Sequence, residues 1–193
     1  MRIRGGSHRG RKLVSPKGDV RPTPDIMRQA YFQITAEWLE DGDFVDVFAG
    51  GGSMGIEALS RGAPGAVFVE RDPGRIRVIR TNLETFEFER RATVWSMDAF
   101  RCADRLEGRA IGLAWLAPPY RFLEDVRAHE RLAELVAALA HRTSGPVAVQ
   151  VSMRAPLEPA AGIEILEVRR YGNNAIQLFR ALPDHPPDVP EGA

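Results

Sequence analysis

A glycine-rich stretch holds the residues whose types and spacing best predict chemistry. The apolar run 44–48 ends in Gly50 and Gly52, and an amphipathic segment starts near residue 53. Glycine lets a ligand approach the backbone closely, and the free amides at a helix N-terminus bind polar or anionic groups. The pattern predicts a seat for a nucleotide-shaped cofactor. A purely structural turn is the alternative, because the GxGxxG spacing from Gly50 to Gly55 is a weak signal alone.

Acidic residues accompany three neighbouring strand-like runs. Asp46 lies within the first run, Glu70 ends the second, 20 residues after Gly50, and Asp98 follows the third. In a doubly wound sheet the ligand lies beyond the carboxyl ends of the strands, where an acid at this spacing accepts ribose hydroxyls. Asp98 could accept an adenine amino group, or it could serve only as a helix cap.

The length of the chain distinguishes two cofactor classes. With 193 residues, it suits one domain and has no room for a separate substrate domain. An NAD-dependent enzyme would need a His/Arg/Asp set to bind a hydride-accepting substrate, and the chain offers no such set. S-adenosylmethionine, which has one nucleoside and a short charged tail, fits better. Asp46 and the glycine loop would then hold its amino-acid end, Glu70 its ribose and Asp98 its adenine. The predicted cofactor residues are Asp46, Phe48, Ala49, Gly50, Gly52, Glu70, Arg71, Asp98 and Ala99.

Alternating strand-like and helix-like segments must position these residues. Such alternation, with nearly continuous apolar strands, is typical of a parallel sheet covered by helices on both faces. We predict a doubly wound, Rossmann-like α/β fold that ends in an antiparallel hairpin. Thr23 is expected to cap the first helix, with Pro24 at its first position. The predicted strands are 44–48, 66–70, 92–96, 111–116, 147–151, 163–171 and 175–182, and the predicted helices are 23–39, 53–61, 73–84 and 124–141.

The N-terminal arm, residues 1–22, concentrates positive charge. The whole chain balances 26 basic against 26 acidic residues, yet residues 1–21 contain seven basic residues and one acid. This arm is a candidate phosphate-binding surface, and a solvated charged hairpin is the alternative. We expect its first 14 residues to form a short β-hairpin that turns at Gly5 and Gly6.

Composition excludes several classes of protein. A single cysteine, Cys102, excludes an internal disulfide, and four scattered histidines predict no metal site. The start lacks an apolar signal core, and no apolar run approaches the length of about 18 residues that a membrane span needs. We therefore expect a cytoplasmic protein. Its folded domain should cover residues 23–182, and the acidic, proline-rich segment 183–193 should be disordered.

Several motifs together resemble one known family. They are MRIRGGSHRGRKL, RPTPDIMRQAYF, DVFAGGGSMGIEALSRGA, VFVERD, PPY and RRYGNNAIQLF, and they span roughly residues 1–182. They are similar to successive motifs of the bacterial 16S rRNA guanine-N2-methyltransferases, the RsmD type. The resemblance implies a seven-stranded methyltransferase sheet. It also implies methyl transfer from S-adenosylmethionine to the exocyclic amine of a guanine in 16S rRNA, free or within the assembling small subunit.

The same resemblance implies which residues meet the RNA. The turn from Ala117 through Pro118 and Pro119 to Tyr120 would position the guanine, and the basic arm would hold the rRNA backbone. We expect the protein to act as a monomer. The resemblance also places Arg21, Thr23 and Arg28 beside the cofactor and the substrate entrance, and a helix cap is the alternative for Thr23. The expected RNA contacts are Arg4, Arg9, Arg11, Lys12, Arg21 and Arg28.

Ala117 departs from the family pattern, which has Asp or Asn before Pro-Pro-Tyr. In the family chemistry, that side-chain oxygen and the next backbone carbonyl accept the hydrogens of the target amine. Losing such a contact costs about 2–4 kcal/mol in a transition state. The Pro118 carbonyl and the Tyr120 ring remain, and alignment of two bound reactants supplies much of the rate. Two hypotheses stay open: an active methyltransferase, and a catalytically impaired relative that binds rRNA as a ribosome-assembly factor.

Overall fold

The computed structural model describes residues 1–16, 18 and 23–183, and a seven-stranded sheet lies at its centre. The strands are β1 (Asp43–Val47), β2 (Ala66–Glu70), β3 (Ala92–Ser96), β4 (Ile111–Leu116), β5 (Val147–Ser152), β6 (Ile163–Tyr171) and β7 (Asn174–Ala181). Their spatial order is β3-β2-β1-β4-β5-β7-β6. The first five strands pair in parallel, and β7 runs antiparallel to both β5 and β6. The predicted α/β fold with a terminal antiparallel hairpin is confirmed.

Helices cover both faces of this sheet because successive strand residues alternate between two apolar layers. The helices are α1 (Asp25–Ile34), α2 (Ser53–Arg61), α3 (Pro73–Thr85), α4 (Cys102–Arg105), α5 (Arg121–Glu124) and α6 (Val126–Ala140). Val45 and Val47 belong to the layer that also contains residues of α4 and α6, whereas Phe44 belongs to the layer with α1, α2 and α3. Burial of one such aliphatic or aromatic side chain contributes about 1.5–3 kcal/mol.

The strand order reverses direction at β1. The chain moves from β1 outward through β2 to β3, and then returns to place β4 on the other side of β1. Loops that leave β1 and β4 therefore diverge above the sheet and leave a crevice at the carboxyl ends of these two strands. This crevice is where the fold can seat a ligand.

The first helix differs from its prediction at both ends. It ends at Ile34 and is followed by a separate 3₁₀ turn at 36–38, so the predicted helix 23–39 is too long. Pro24 occupies the N-cap position instead of the first helical position. The Thr23 hydroxyl donates to Gln150 Oε1 at 2.9 Å instead of capping the helix. A tertiary contact therefore takes the hydroxyl away from the helix end, because Gln150 belongs to the distant strand β5.

The predicted helix 124–141 corresponds to α6, which begins two residues later, and the short helix α5 precedes it. Asp125 is extended, with φ −86° and ψ 123°, and its side chain accepts the Ala128 amide hydrogen. A side chain that caps the following amides starts a new helix, and α6 therefore begins at Val126. The short helix α5 remains attached to the Pro-Pro-Tyr turn.

The N-terminal arm is docked onto the domain rather than folded as a tight hairpin. Arg2 and Lys12 form an isolated antiparallel bridge, and the turn between them is wider than the predicted Gly5-Gly6 turn. Ile3 and Leu13 are buried, and Val14 exchanges two hydrogen bonds with the Asn82 side chain of α3. Burial and these bonds fix the arm against α2 and α3.

Two predicted features, the RNA contact Arg21 and the tail 183–193, lie wholly or mostly outside the described residues. Of the tail, only Pro183 is described. Each helix in the described part of the chain is too short or too polar to span a bilayer.

Candidate cofactor and substrate site

A cavity of about 510 Å³ lies at the crevice between β1 and β4. Its volume falls within the range of roughly 300–1,000 Å³ that small-molecule sites occupy. The structure brings twelve of the thirteen predicted cofactor and catalytic residues to its wall. They are Asp46, Phe48, Ala49, Gly50, Glu70, Arg71, Asp98, Ala99, Ala117, Pro118, Pro119 and Tyr120.

Gly52, the thirteenth, does not line the cavity and instead sets the conformation of the loop before α2. It is the N-cap of α2 with φ 77°, a left-handed conformation that favours glycine. A Cβ on Gly55, one turn later, would lie 2.3 Å from Phe68 Cε1. These glycines let α2 begin against the sheet, so that its first amides face the crevice.

Glu70 holds the glycine loop by its carboxylate. One oxygen accepts the Gly50 amide at 2.9 Å, and the other accepts the amides of Arg71 at 2.9 Å and Asp72 at 3.0 Å. Glu70 is 5% exposed, so these are largely shielded bonds to a carboxylate, the stronger class of hydrogen bond. The sequence predicted a ribose contact and missed this role as a brace between the loop and the start of α3.

Asp46 is a buried acid with one backbone contact. Its Oδ2 accepts the Gly55 amide at 3.0 Å. The pKa of Asp46 is raised to about 8, mainly because the carboxyl is buried; the Gly55 bond lowers the pKa, and the charge of Glu70 adds a smaller rise. A cationic group placed beside it would restore the charged form. Asp46 therefore fits a ligand that carries an ammonium group, as the amino-acid end of S-adenosylmethionine does.

Asp98 is exposed at the rim of the cavity. Its carboxylate accepts the Phe100 amide at 3.2 Å and caps a 3₁₀ turn at 99–101. The capping alternative is therefore what the structure shows, and an adenine contact remains a prediction. One side of the same rim is aromatic, because the rings of Phe48, Phe100 and Phe122 meet with centroids 5.5–6.0 Å apart.

The turn from Ala117 to Tyr120 forms the wall opposite the glycine loop. The Ala117 amide donates to the Val47 carbonyl at 3.2 Å, which ties the start of the turn to β1. The Tyr120 hydroxyl donates to Asn174 Oδ1 at the start of β7. Asn174 was not predicted, since only the folded sheet brings β7 beside this turn.

Two further polar residues of the cavity wall bond to each other; the family resemblance had placed the first beside the site, and sequence reasoning missed the second. They are Thr23, from the segment before α1, and Gln150, from β5, and both are at least nine-tenths buried. Their mutual hydrogen bond links two elements that are 127 residues apart. A sequence pattern could have found Gln150 only as a polar residue inside an otherwise apolar strand.

Comparisons with known proteins agree with this geometry. A family model described as Conserved hypothetical protein 95 matches residues 1–180. The chain belongs to this family. The predicted resemblance to RsmD-type methyltransferases is thereby confirmed, because a relative is the Ribosomal RNA small subunit methyltransferase D of Escherichia coli K12. It is 36% identical over 122 residues, which cover 63% of this chain and 61% of that protein.

Solved structures of similar proteins share the fold. The Escherichia coli protein yhhF, described as a methyltransferase, is 28% identical with a TM-score of 0.75, covering 94% of this chain and 98% of that one. An RNA methyltransferase from Salinibacter ruber, solved in complex with S-adenosyl-L-homocysteine, has a TM-score of 0.61 at 17% identity. Its match covers 87% of this chain and 97% of that one.

Gly51 lies between Gly50 and Gly52 in the glycine loop. A Cβ at this position would lie 2.8 Å from Pro16 Cδ. The Gly51 carbonyl also accepts the Asn82 side-chain amide at 3.3 Å. Because Gly51 has no side chain, Pro16 of the N-terminal arm can lie close to the glycine loop.

Arg28, predicted to contact RNA, is buried in the structure and is removed from that set. It is fully buried, and its guanidinium donates to Asp25 at 2.6 Å and to the Arg2 carbonyl at 2.7 Å. The Arg28 Nε lies 3.4 Å from the buried carboxylate of Glu57. A buried, paired guanidinium cannot reach a phosphate, so Arg28 is a structural residue that connects the arm, α1 and α2.

The other predicted RNA contacts in the described part of the chain, Arg4, Arg9, Arg11 and Lys12, are exposed. Arg4 pairs with Asp25, and Arg11 donates to the Thr85 carbonyl and lies 4.7 Å from the Phe86 ring centroid. Arg9 and Lys12 extend from the same docked surface. These four side chains keep the electrostatic character that the sequence predicted for the arm, and their contact with RNA remains a prediction.

Proposed function

We propose that this chain transfers a methyl group from S-adenosylmethionine to the exocyclic N2 amine of a guanine in small-subunit rRNA. The observation that carries the proposal is the cavity that joins the glycine loop, Asp46 and Glu70 to the Pro-Pro-Tyr turn. One wall suits a nucleoside with an ammonium-bearing tail, and the other suits a flat base. Family membership and the rRNA methyltransferase relative support the same assignment. We propose a cytoplasmic monomer.

The described residues fit the cofactor through charge and shape. Asp46 would accept the ammonium group, the glycine loop would lie along the amino-acid end, and Glu70 would reach the ribose while it braces the loop. When bound, S-adenosylmethionine supplies an electrophilic methyl group: the N–C bond forms as the C–S bond breaks, S-adenosylhomocysteine leaves, and the amine loses one proton to solvent. The Pro118 carbonyl would accept one hydrogen of the amine, and Tyr120, held by Asn174, would position the base.

Calorimetry with S-adenosylmethionine and with NAD tests the cofactor assignment. We expect S-adenosylmethionine to bind and NAD to show no saturable heat. Preferential binding of NAD, or no binding of S-adenosylmethionine, would refute the proposal.

The buried acid predicts a proton linkage. At pH 7 most Asp46 carboxyls are protonated, because burial raises the pKa to about 8. Ammonium binding requires the charged form, so S-adenosylmethionine binding should release about one proton at pH 7. Calorimetry in buffers of different ionisation enthalpy measures that number. Asp46→Asn should abolish the release and weaken binding, and a wild type that releases no proton would contradict the assignment of Asp46.

The second candidate function is an rRNA-binding assembly factor with impaired catalysis, and Ala117 is the observation that favours it. Both functions need the arm to bind RNA. A cavity between the arm and α1, lined by Arg4, Arg9 and Arg61, adds a basic concave surface. Cofactor binding without turnover would favour this second function.

Arm contacts should make rRNA binding salt-sensitive. Each phosphate neutralised on a single strand contributes about −0.7 to the slope of log K against log salt. Replacing Arg9 and Lys12 with alanine should therefore reduce the magnitude of the slope by roughly 1 to 2. The matched control is Arg169→Ala with Arg180→Ala, two exposed arginines on the terminal hairpin. An arm variant whose slope equals that of the wild type would show that the arm does not touch phosphate.

A further inference from the structure

Gln150 lies beside Ala117 at the carboxyl edge of the sheet. The parallel pairing of β4 with β5 sets Leu116 against Val149, so the next residues on the two strands, Ala117 and Gln150, are neighbours on one face. Neighbouring strands are about 4.8 Å apart. Both residues line the cavity, which places a carboxamide next to the short side chain of Ala117.

Among the described residues, the Gln150 side chain has one hydrogen-bond partner, Thr23. Gln150 is 8% exposed and Thr23 is 5% exposed, and the Thr23 hydroxyl donates to Gln150 Oε1 at 2.9 Å. A buried amide is costly unless it is hydrogen-bonded, and this bond fixes the direction of its carbonyl. A carbonyl oxygen has two lone pairs, so the Thr23 bond leaves one acceptor site on Oε1.

We propose that Gln150 Oε1 accepts a hydrogen from the target amine and takes over the task of the acceptor that Ala117 lacks. This inference rests on the proposed methyltransferase function. Gln150 would touch the substrate directly, whereas Thr23 is a positioning residue that orients the carboxamide. The oxygen only accepts a hydrogen bond, and the proton that the amine loses after methyl transfer goes to solvent. Gln150 Oε1 and the Pro118 carbonyl would each accept a hydrogen bond from the amine, and together they would direct its lone pair toward the methyl group.

Methylation rates of two Gln150 variants and a matched control distinguish a role of Gln150 as hydrogen-bond acceptor from a role in packing. Gln150→Leu should slow single-turnover methylation of rRNA by about tenfold or more, with cofactor affinity within about twofold of wild type. Gln150→Glu keeps an acceptor oxygen and should stay within about fivefold of wild type. Gln177→Leu is the control, because Gln177 is similarly buried in the neighbouring strand and its side chain bonds to the Leu157 backbone. It should lower the melting temperature and leave the methylation rate within about twofold.

Variants of Thr23 and Ala117 should give results that a purely structural role of Gln150 would not produce. Thr23→Val should slow methylation, and Thr23→Ser, which retains the hydroxyl, should restore it. Ala117→Asp should rescue Gln150→Leu, since it returns an acceptor to the neighbouring strand. In the presence of S-adenosylhomocysteine, guanosine monophosphate should shift the NMR signal of the Gln150 side-chain amide. Inosine monophosphate, which lacks the exocyclic amine, should not shift it.

The outcomes that overturn this inference differ from those that overturn the proposed function. Wild-type methylation by Gln150→Leu, or equal losses in Gln150→Leu and Gln150→Glu, would refute the acceptor role. A wild type that fails to bind S-adenosylmethionine, or that binds cofactor and rRNA but transfers no methyl group, would instead refute the proposed function and, with it, this inference.

Discussion

Glu70→Ala is expected to weaken S-adenosylmethionine binding by about 100-fold or more. The substitution removes the acceptor for the amides of Gly50, Arg71 and Asp72. Hydrogen bonds to a charged group contribute about 1.5–3 kcal/mol each, and about 2.7 kcal/mol corresponds to 100-fold in affinity. The loss combines a released glycine loop with a missing ribose acceptor. Calorimetry at a fixed pH measures it.

Two comparisons make the Glu70 result interpretable. Glu134→Ala, which changes an exposed acid on α6, should bind the cofactor like the wild type. Circular dichroism should show that Glu70→Ala keeps its sheet, since the brace acts on a loop at the edge of the core. Unchanged affinity in a folded Glu70→Ala variant would reject both the bracing role and the ribose assignment.

Ala117→Asp is expected to raise the single-turnover methylation rate by about tenfold or more in the Gln150→Leu background, where the chain has lost its proposed acceptor. An aspartate here would place a charged acceptor beside the target amine, and such a contact contributes about 2–4 kcal/mol when it acts only in the transition state. Cofactor affinity should stay within about twofold, because the change concerns the base and not the cofactor wall. Rapid-quench experiments with saturating enzyme measure the chemical step.

Ala117→Leu is the control for this gain of function, because it fills a similar volume without an acceptor and should give no acceleration. If both wild type and Ala117→Asp bind cofactor and rRNA but neither methylates, the assembly-factor hypothesis is favoured. Robust wild-type turnover that the aspartate slows would mean that another acceptor, such as Gln150, already occupies the position.

Local patterns were enough to predict the sheet and the edge that carries the site. Strand β2 agrees with its predicted bounds, since an uninterrupted apolar run between turn residues is compatible with little else. Ligands lie at the carboxyl ends of parallel strands, and this rule alone predicts that Asp46, Glu70 and Asp98 share one edge of the sheet. These residues are close in space because they lie near the same end of neighbouring strands.

Other features depended on contacts between distant segments. Arg28 carries the same charge as Arg9, and only the packing of α1 against the buried carboxylate of Glu57 distinguishes a structural arginine from a surface one. Thr23 looked like a helix cap because its partner on β5 is distant in sequence. Gln150 required the register between β4 and β5, which no local pattern specifies.

Single-turnover methylation of small ribosomal subunits that lack the modification decides whether this chain is a guanine-N2-methyltransferase. Wild-type protein, S-adenosylmethionine with a labelled methyl group and these subunits would be mixed, and the digested rRNA would be analysed for modified nucleosides. We expect label in N2-methylguanosine at one site, about one methyl group per subunit, and loss of labelling in Glu70→Ala. Binding of cofactor and subunit without label, or label in any other nucleoside, would contradict the proposed function.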